Sequence, residues 1–389
     1  MRVAIISAVR TPIGKILGNL SKFKAVELGA IVIREAVKRA NIDKELIDLV
    51  IMGQVLQGGN GQNPARQSAI LGGLNSSIEA FTINEVCGSG LKAVMLGAQA
   101  IKAGDAEIVV AGGMESMTNT PHAIYLRNGI KYGNSEVIDL MIYDGLSCQF
   151  NNNVHMGHLA EYTAEKANIS REEMDQFAYE SHLKAIRAID NGYFKDEIVP
   201  IEVDGKIIEV DETPRRDTSI EKLSQLKPAF KKDGKVTAGN APPLSDGASA
   251  LILASEKKVK ELNLKPLAWI LDYTSYFTEP KDLFFAPIGA FRKLMNKLNI
   301  KDINEFDLIE LNEAFASQVL ADYKELKWDW NKFNIYGGAI ALGHPIGASG
   351  ARILTTLIYA LRRNNKKLGI AGLCLGGGGS VAMAIITEY

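Results

Sequence analysis

The sequence predicts an α/β protein built from more than one domain. Three observations carry that expectation. Short apolar runs alternate with stretches of helical periodicity along most of the chain. At 389 residues the chain exceeds what one hydrophobic core usually serves. The two ends also echo each other: a reactive side chain, a helix and a strand ending in glycines occur near residues 87–113 and again near 344–379.

Residues 3–7 form a short apolar strand. Residues 25–40 follow with Leu28, Val32, Ala36 and Val37 on one helical face. A second strand at 49–52 precedes a helix at 63–71, and a strand at 81–86 leads into Cys87. Residues 89–102 are helical and Gly104 closes them; 108–111 read as a buried strand. From about 118 to 243 the chain is richer in Asn, Asp, Lys and Tyr, which marks an inserted loop domain. Its clearest element is a helix over 170–191, with Ser170 as N-cap and Glu173 completing a capping box. A hairpin with an Asp-Gly turn follows at 198–210. Strands at 248–254, 266–273, 307–311, 369–375 and 380–387 then alternate with helices at 256–262, 287–298, 314–326 and 348–363. This alternation predicts mainly parallel strands, with a hairpin at the C-terminus.

Composition narrows the function. The formal net charge of -1 gives no global basic field for nucleic acid or an anionic membrane. No apolar run approaches the roughly 20 residues that cross a bilayer, and residues 1–12 lack the apolar core of a signal peptide. The three cysteines, Cys87, Cys148 and Cys374, are too few for a disulfide framework and fit a reducing compartment. The expectation is a cytoplasmic protein. His155 and His158 make no metal site, because no CxxC or HExxH pattern accompanies them. Walker and Rossmann glycine signatures are absent too.

Four segments can carry chemistry. Cys87 stands in Asn-Glu-Val-Cys-Gly-Ser-Gly, at a strand-to-helix junction where small neighbours leave a thiol uncovered. A helix N-terminus and a nearby base would activate it; the alternative is a buried structural cysteine. His344 lies in Gly-His-Pro-Ile-Gly-Ala-Ser-Gly, a slim and rigid frame that can present a base to a nucleophile and its acyl group. Cys374 precedes the glycines at 376–379, whose amides could form an oxyanion hole; it could equally be a core cysteine before a hairpin. Asn312, in Asn-Glu-Ala-Phe-Ala, could hold a water, orient a histidine or simply cap a helix.

Taken in order and spacing, these blocks resemble the thiolase family. Residues 10–14, 53–67, 84–104, 111–117, 155–157, 236–247, 312–316, 337–352 and 374–378 carry the likeness along nearly the whole chain. The resemblance implies two similar βαβαβαββ halves, at 1–117 with 244–265 and at 266–389, plus a loop domain at 118–243 that binds CoA. It implies that Cys87 becomes acylated, that His344 takes its proton, and that Cys374 removes or returns the α-proton. Asn312 would hold a water that, with His344, stabilises an enolate, while the amides of Cys87 and Gly376 form a second oxyanion hole. Leu146, His155, Met156, Pro242, Leu244, Ala314 and Phe315 would line the substrate site, and Arg215 would lie near the CoA nucleotide. The His-Met-Gly wording at 155–157 is similar to that of short-chain members. CoA is then substrate and product, with no resident cofactor or metal. The segment 121–145 resembles a tetramerisation loop, which implies a homo-oligomer, either a tetramer or a dimer of the same core.

The chain departs from the family pattern in three places. Pro242 stands where many members have a serine. One residue is inserted between Leu146 and His155. Phe-Phe-Ala-Pro at 284–287 replaces a Met-Gly-x-Gly-Pro wording. These bear on acyl chain length, so a thiolase for longer 3-ketoacyl-CoA is an alternative. A condensing synthase, a non-catalytic CoA- or lipid-binding protein and a cysteine hydrolase are the others. Cys374 within Cys-Leu-Gly-Gly-Gly argues against the synthase, and the joint presence of Cys87, Asn312, His344 and Cys374 argues against a binding protein.

Overall fold

A computed structural model describes residues 1–388. Strand β1 (Val3–Arg10) is buried at every position. Its side chains alternate between two cores, with Val3, Ile5 and Ala8 in one and Ala4, Ile6 and Val9 in the other. A strand covered on both faces reads as an unbroken apolar run, which is how the sequence shows it.

The longer strands of the main sheet are, besides β1, β2 (Leu49–Gly53), β3 (Glu79–Ile83), β4 (Ile108–Ser116), β5 (Ser245–Ser255), β6 (Ala268–Phe277), β7 (Leu308–Leu311), β8 (Leu368–Leu375) and β9 (Gly379–Ile386); a two-residue strand, Gly14–Lys15, also pairs with β5. They lie in the order β7-β8-β9-β6-β1-β5-β4-β2-β3. Only β2 with β3, β2 with β4, and β7 with β8 pair in parallel. The ladders β1–β5, β1–β6, β5–β4, β6–β9 and β8–β9 are antiparallel. The expectation of mainly parallel strands is therefore corrected to a mixed sheet. The cause is local. β9 returns from β8 through a tight glycine turn, and a hairpin can only pair antiparallel. β5 likewise returns beside β4, after the long excursion through the middle region.

The order reads as a mirror about the β1–β6 seam. β1, β5, β4 and β2 on one side correspond to β6, β9, β8 and β7 on the other. An isolated bridge of Phe333 to Ile309 takes the place of β3. Helices repeat in step: α1 (Ala25–Ala40), α2 (Pro64–Leu71) and α3 (Ser89–Ala103) in the first half, α6 (Ala286–Leu298), α7 (Ala316–Leu326) and α8 (Ser349–Arg363) in the second. Between them fall α4 (Met156–Lys166) and α5 (Arg171–Asp190). The seam itself is narrow: only Val3, Ala4 and Ile5 pair with Ile270, Trp269 and Ala268.

Three cores define the layers. α3 and α8 share one core with the inner faces of both half-sheets. α1 and α2 cover the outer face of the first half, and α6 and α7 that of the second. The middle region has no sheet core of its own. Leu159, Met174 and Phe177 from α4 and α5 join the second half's outer core, while Val199 and Ile201 join the first's. Arg10 ties this region to β1, pairing at 2.6 Å with both Glu197 and Asp211 in a fully buried cluster. The capping box of Ser170 and Glu173 forms as the sequence implies. The Asp204-Gly205 turn has φ of 51° and 76°, which suits a two-residue hairpin. Among the described residues no helix is long and apolar enough to cross a membrane.

α3 and α8 meet at their first turns. A Cβ on Gly90 would lie 2.8 Å from the Ala351 nitrogen, and one on Gly350 would lie 2.3 Å from the Leu91 nitrogen. Only glycine permits this backbone-to-backbone approach. Gly350→Ala is expected to destabilise the protein by about 1–3 kcal/mol through overpacking, measured as a lower urea midpoint at an unchanged slope. An unchanged midpoint would mean that the heads can separate without penalty.

Candidate active site

The chain leaves β3 at Ile83 and turns sharply into α3. Val86 takes φ of 49°, a conformation that β-branched residues avoid. Strain of this kind costs on the order of 1–3 kcal/mol and persists only where surroundings impose it. Here Asn84 Oδ1 accepts from the Val86 N–H at 2.9 Å, and Ser89 Oγ donates to the Val86 carbonyl at 2.7 Å. Ser89 Oγ also accepts from the Glu85 N–H at 2.9 Å. The result presents Cys87 at the head of α3, whose N-terminus has no side-chain cap. Cys87 is partly open to a pocket. The apolar lining still pushes its thiol up to about 12, opposed by the N–H groups of Cys87 itself and Gly376, which face the sulfur.

His344 occupies the corresponding turn before α8. Gly343, at φ of 101°, swings the chain past Ser245, whose Oγ accepts from the His344 N–H at 3.2 Å. His344 Nδ1 lies 2.6 Å from Ser349 Oγ, and that hydroxyl donates to the Pro345 carbonyl at 2.9 Å. A hydroxyl with its proton committed can only accept from Nδ1–H. These partners assign the tautomer and make Nε2 the acceptor that can serve as a base. Asn312 Nδ2 lies 3.4 Å from Nε2. Burial, with the Arg352 charge nearby, pushes His344 down to about 3, so the ring is neutral at rest.

Asn312 is fully buried, and its N–H donates to the Gly372 carbonyl at 3.0 Å. The capping reading is corrected here: α7 begins at Ala316 with Phe315 at the N-cap position, three residues beyond Asn312. Behind this loop Gln318 Oε1 accepts from the Ala314 N–H at 3.1 Å, and Gln318 Nε2 donates to Asp322 at 2.6 Å. Cys374, the penultimate residue of β8, is almost fully buried; burial and the adjacent Cys87 both push its thiol up. Gly377 and Gly378, at φ of 87° and 94°, make the turn that leaves the Gly376 N–H facing Cys87.

One cavity of about 330 Å³ gathers these groups. Cys87, His344, Cys374 and Gly376 line it, together with Leu146, His155, Met156, Pro242, Leu244, Ala314 and Phe315. Asn312 stands behind the wall, reaching it through His344. Arg215 does not line it; it lies on an exposed segment, where its N–H donates to His182 Nδ1 at 3.1 Å. A larger open groove of about 1100 Å³ beside α6 and α7 contains no cysteine or histidine, and its Lys166, Arg292 and Lys297 are already paired with carboxylates. Among the described residues no cluster could hold a metal.

Sequence reasoning missed several lining residues. Phe230 stacks on His155 with ring centroids 4.7 Å apart, and Phe284 meets Phe315 edge-on at 5.4 Å. Phe284 belongs to the Phe-Phe-Ala-Pro wording that the sequence already tied to acyl chain length, whereas Phe230 gave no such signal. Ser349 was also missed. Its signal was the repeat of Ser-Gly at both helix heads, with Ser89 serving the first turn as Ser349 serves the second.

The family model described as Thiolase, N-terminal domain matches residues 3–257, and that described as Thiolase, C-terminal domain matches residues 264–387. The chain belongs to the thiolase family. The acetyl-CoA acetyltransferase of Pseudomonas aeruginosa is 49% identical over 99% of each chain. The Cupriavidus necator protein of the same name is 48% identical over 98% of each. A crystal structure of the Bacillus anthracis acetyl-CoA acetyltransferase superposes with a TM-score of 0.96 at 43% identity, covering 100% of this chain and 99% of that one. This thiolase is accordingly an acyltransferase, and its fold is the thiolase fold.

Ser349→Ala in this thiolase removes the acceptor that fixes the His344 tautomer. Single-turnover acylation of Cys87 is expected to slow about tenfold, the scale of one lost buried hydrogen bond, with intact-mass detection of the acyl-enzyme as the readout. Wild-type acylation would show that Ser349 does not orient the base.

Proposed function

We propose that this thiolase is an acetyl-CoA C-acetyltransferase. It joins two acetyl-CoA into acetoacetyl-CoA and CoA, reversibly and by a ping-pong route through acyl-Cys87. The observation that carries this reading is the convergence of Cys87, His344, Cys374 and the Gly376 N–H on one apolar cavity.

At rest both Cys87 and His344 are neutral, so attack is coupled to proton transfer. Cys87 Sγ bonds to the thioester carbonyl carbon as its proton passes to His344 Nε2. The carbon–sulfur bond to CoA breaks, and the CoA sulfur leaves with the Cys374 proton, so that Cys374 is left as thiolate and His344 stays protonated at Nε2. The N–H groups of Cys87 and Gly376 receive the negative charge on the carbonyl oxygen; losing such a donor typically costs about 3–4 kcal/mol. Acylation also removes the charge that a Cys87 thiolate would set against Cys374. Cys374 is then easier to ionise, which orders the two half-reactions. As thiolate it takes the α-proton of a second acetyl-CoA. The carbanion attacks the acyl carbon, the bond to Cys87 breaks, and the His344 Nε2 proton returns to the Cys87 sulfur, while the α-proton stays on Cys374. The Nε2–H of the protonated His344, and a water held through Asn312, stabilise the enolate oxygen.

CoA enters and leaves as substrate, and the reading needs no resident cofactor. The relatives' printed names support acetyl-CoA, and the aromatic pairs Phe230–His155 and Phe284–Phe315 support a short acyl chain by crowding the cavity. The family resemblance implies that the CoA nucleotide binds near Arg215. Exposed Ile124, Tyr125, Leu126, Ile130 and Val137 in the segment 121–145 support assembly into a homotetramer. Three free cysteines support a reducing, cytoplasmic setting.

The first test is thiolysis of acetoacetyl-CoA by CoA beside a longer 3-ketoacyl-CoA. Strong preference for acetoacetyl-CoA is expected; preference for the longer substrate would keep the chemistry and overturn the short-chain assignment. Cys87→Ala is expected to abolish acyl-enzyme formation while CoA still binds by calorimetry. Cys374→Ser should slow carbon–carbon exchange far more than acylation of Cys87. Equal losses in both half-reactions would refute the division of labour between the two cysteines.

A further inference from the structure

Glu115, the penultimate residue of β4, is fully buried, with no cation beside it among the described residues. The ionisable groups facing it are the Asp246 carboxyl on β5 and the Cys87 thiol at the head of α3. A buried carboxylate without a cation is costly unless hydrogen bonds satisfy it. Glu115 has three, all from backbone. Its Oε2 accepts from Val55 at 3.1 Å and from Gly347 at 2.9 Å, and its Oε1 accepts from Leu56 at 3.1 Å.

Those donors come from both halves of the molecule. Val55 and Leu56 follow β2, and Gly347 lies three residues after His344. Val55, Leu56 and Ile346 form a small apolar cluster with Met117, and Cys87, Leu146 and Leu244 pack against it. The space around Gly347 is closed: a Cβ there would lie 2.7 Å from Glu115 Oε2 and 2.9 Å from the Gln54 Cα. A Cβ on Gly113, two residues before Glu115, would lie 2.0 Å from the Gly347 carbonyl oxygen. The His344 turn therefore rests directly on β4, and Glu115 is its polar fastening.

We infer that Glu115 is a positioning residue for acyl transfer, its carboxylate pinning the turn that carries His344 to the wall that faces Cys87. The inference rests on the proposed roles of Cys87 and His344. Its geometry has one further consequence: the fastening places negative charge near the thiol, so removing it acts on the thiol and on the turn in opposite senses.

The test is Glu115→Gln. Glutamine keeps the size but sets an amide N–H against a backbone N–H. Turnover of acetoacetyl-CoA is expected to fall about tenfold or more in kcat, the scale of one lost charge-assisted hydrogen bond, with little change in KM for CoA. The rate of Cys87 alkylation by iodoacetamide should move to lower pH, because a facing charge is gone. Burial pushes Glu115 up to about 7, so the comparison is made well above that value, where the wild-type carboxylate is charged. Slower turnover together with easier thiol ionisation supports the role. Wild-type turnover in the variant overturns it, and so does a parallel loss of turnover, alkylation and thermal stability, which marks a merely structural residue. If Glu115→Gln fails to fold, Glu115→Asp keeps the charge and shortens the reach; wild-type turnover there overturns the inference equally. Alkylation needs no thioester, so a wild-type enzyme that ignores acetoacetyl-CoA would count against the proposed function and leave the alkylation result to judge Glu115.

Discussion

Gly90 and Gly350 let the first turns of α3 and α8 touch backbone to backbone, and the placement of every reactive group follows from that contact. Each helix head carries one chemically active turn, Cys87 on the first and His344 on the second. Neither helix has a side-chain N-cap, so both direct unpaired N–H groups and the positive ends of their dipoles towards the same region. Developing negative charge is thus favoured where the two halves meet. The first half supplies the nucleophile. The second supplies the base, the second thiol, the Gly376 amide and Asn312.

Buried carboxylates recur around this junction as fasteners for backbone. Glu115 holds Val55, Leu56 and Gly347. Glu313 does the same for the preceding loop, accepting from Ser181 Oγ at 2.7 Å, from Asn334 Nδ2 at 3.0 Å and from the Ile340 N–H at 3.1 Å. Asp211 accepts from the Ile13 N–H at 2.8 Å while also pairing with Arg10. The reactive turns contain few side chains able to anchor them, since glycine and alanine leave room for substrate. Anchoring has to come from outside the turn, and a carboxylate with two oxygens can collect several N–H donors at once.

The sequence disclosed the reactive residues more fully than the sheet. Cys87, His344 and Cys374 stood out because each sits in a local frame of small residues, and local frames are visible in one dimension. The helices at 25–40, 89–102 and 170–191 were legible for the same reason: periodicity and capping are short-range properties. Strand direction was not, because it depends on where β5 and β9 return, and no local signal separates a return beside a neighbour from a crossover. Ser349, Glu115 and Phe230 were hidden for a related reason. Their roles come from contacts with turns far away in the chain, and only the mirror relation between Ser89 and Ser349 left a trace.

The seam between β1 and β6 is three residue pairs wide, and the elements on either side repeat in order. Two identical subunits could meet in the same way, but in such a dimer any substitution appears twice and both helix heads stay alike. Joining the halves in one chain removes that restriction. One head can keep a thiol while its counterpart becomes glycine, as at Cys87 and Gly347, and the twin of Cys374 on β4 can become Met114. Covalent linkage thus permits a lopsided site, with nucleophile on one side and proton transfer on the other, inside an architecture that is otherwise even-handed.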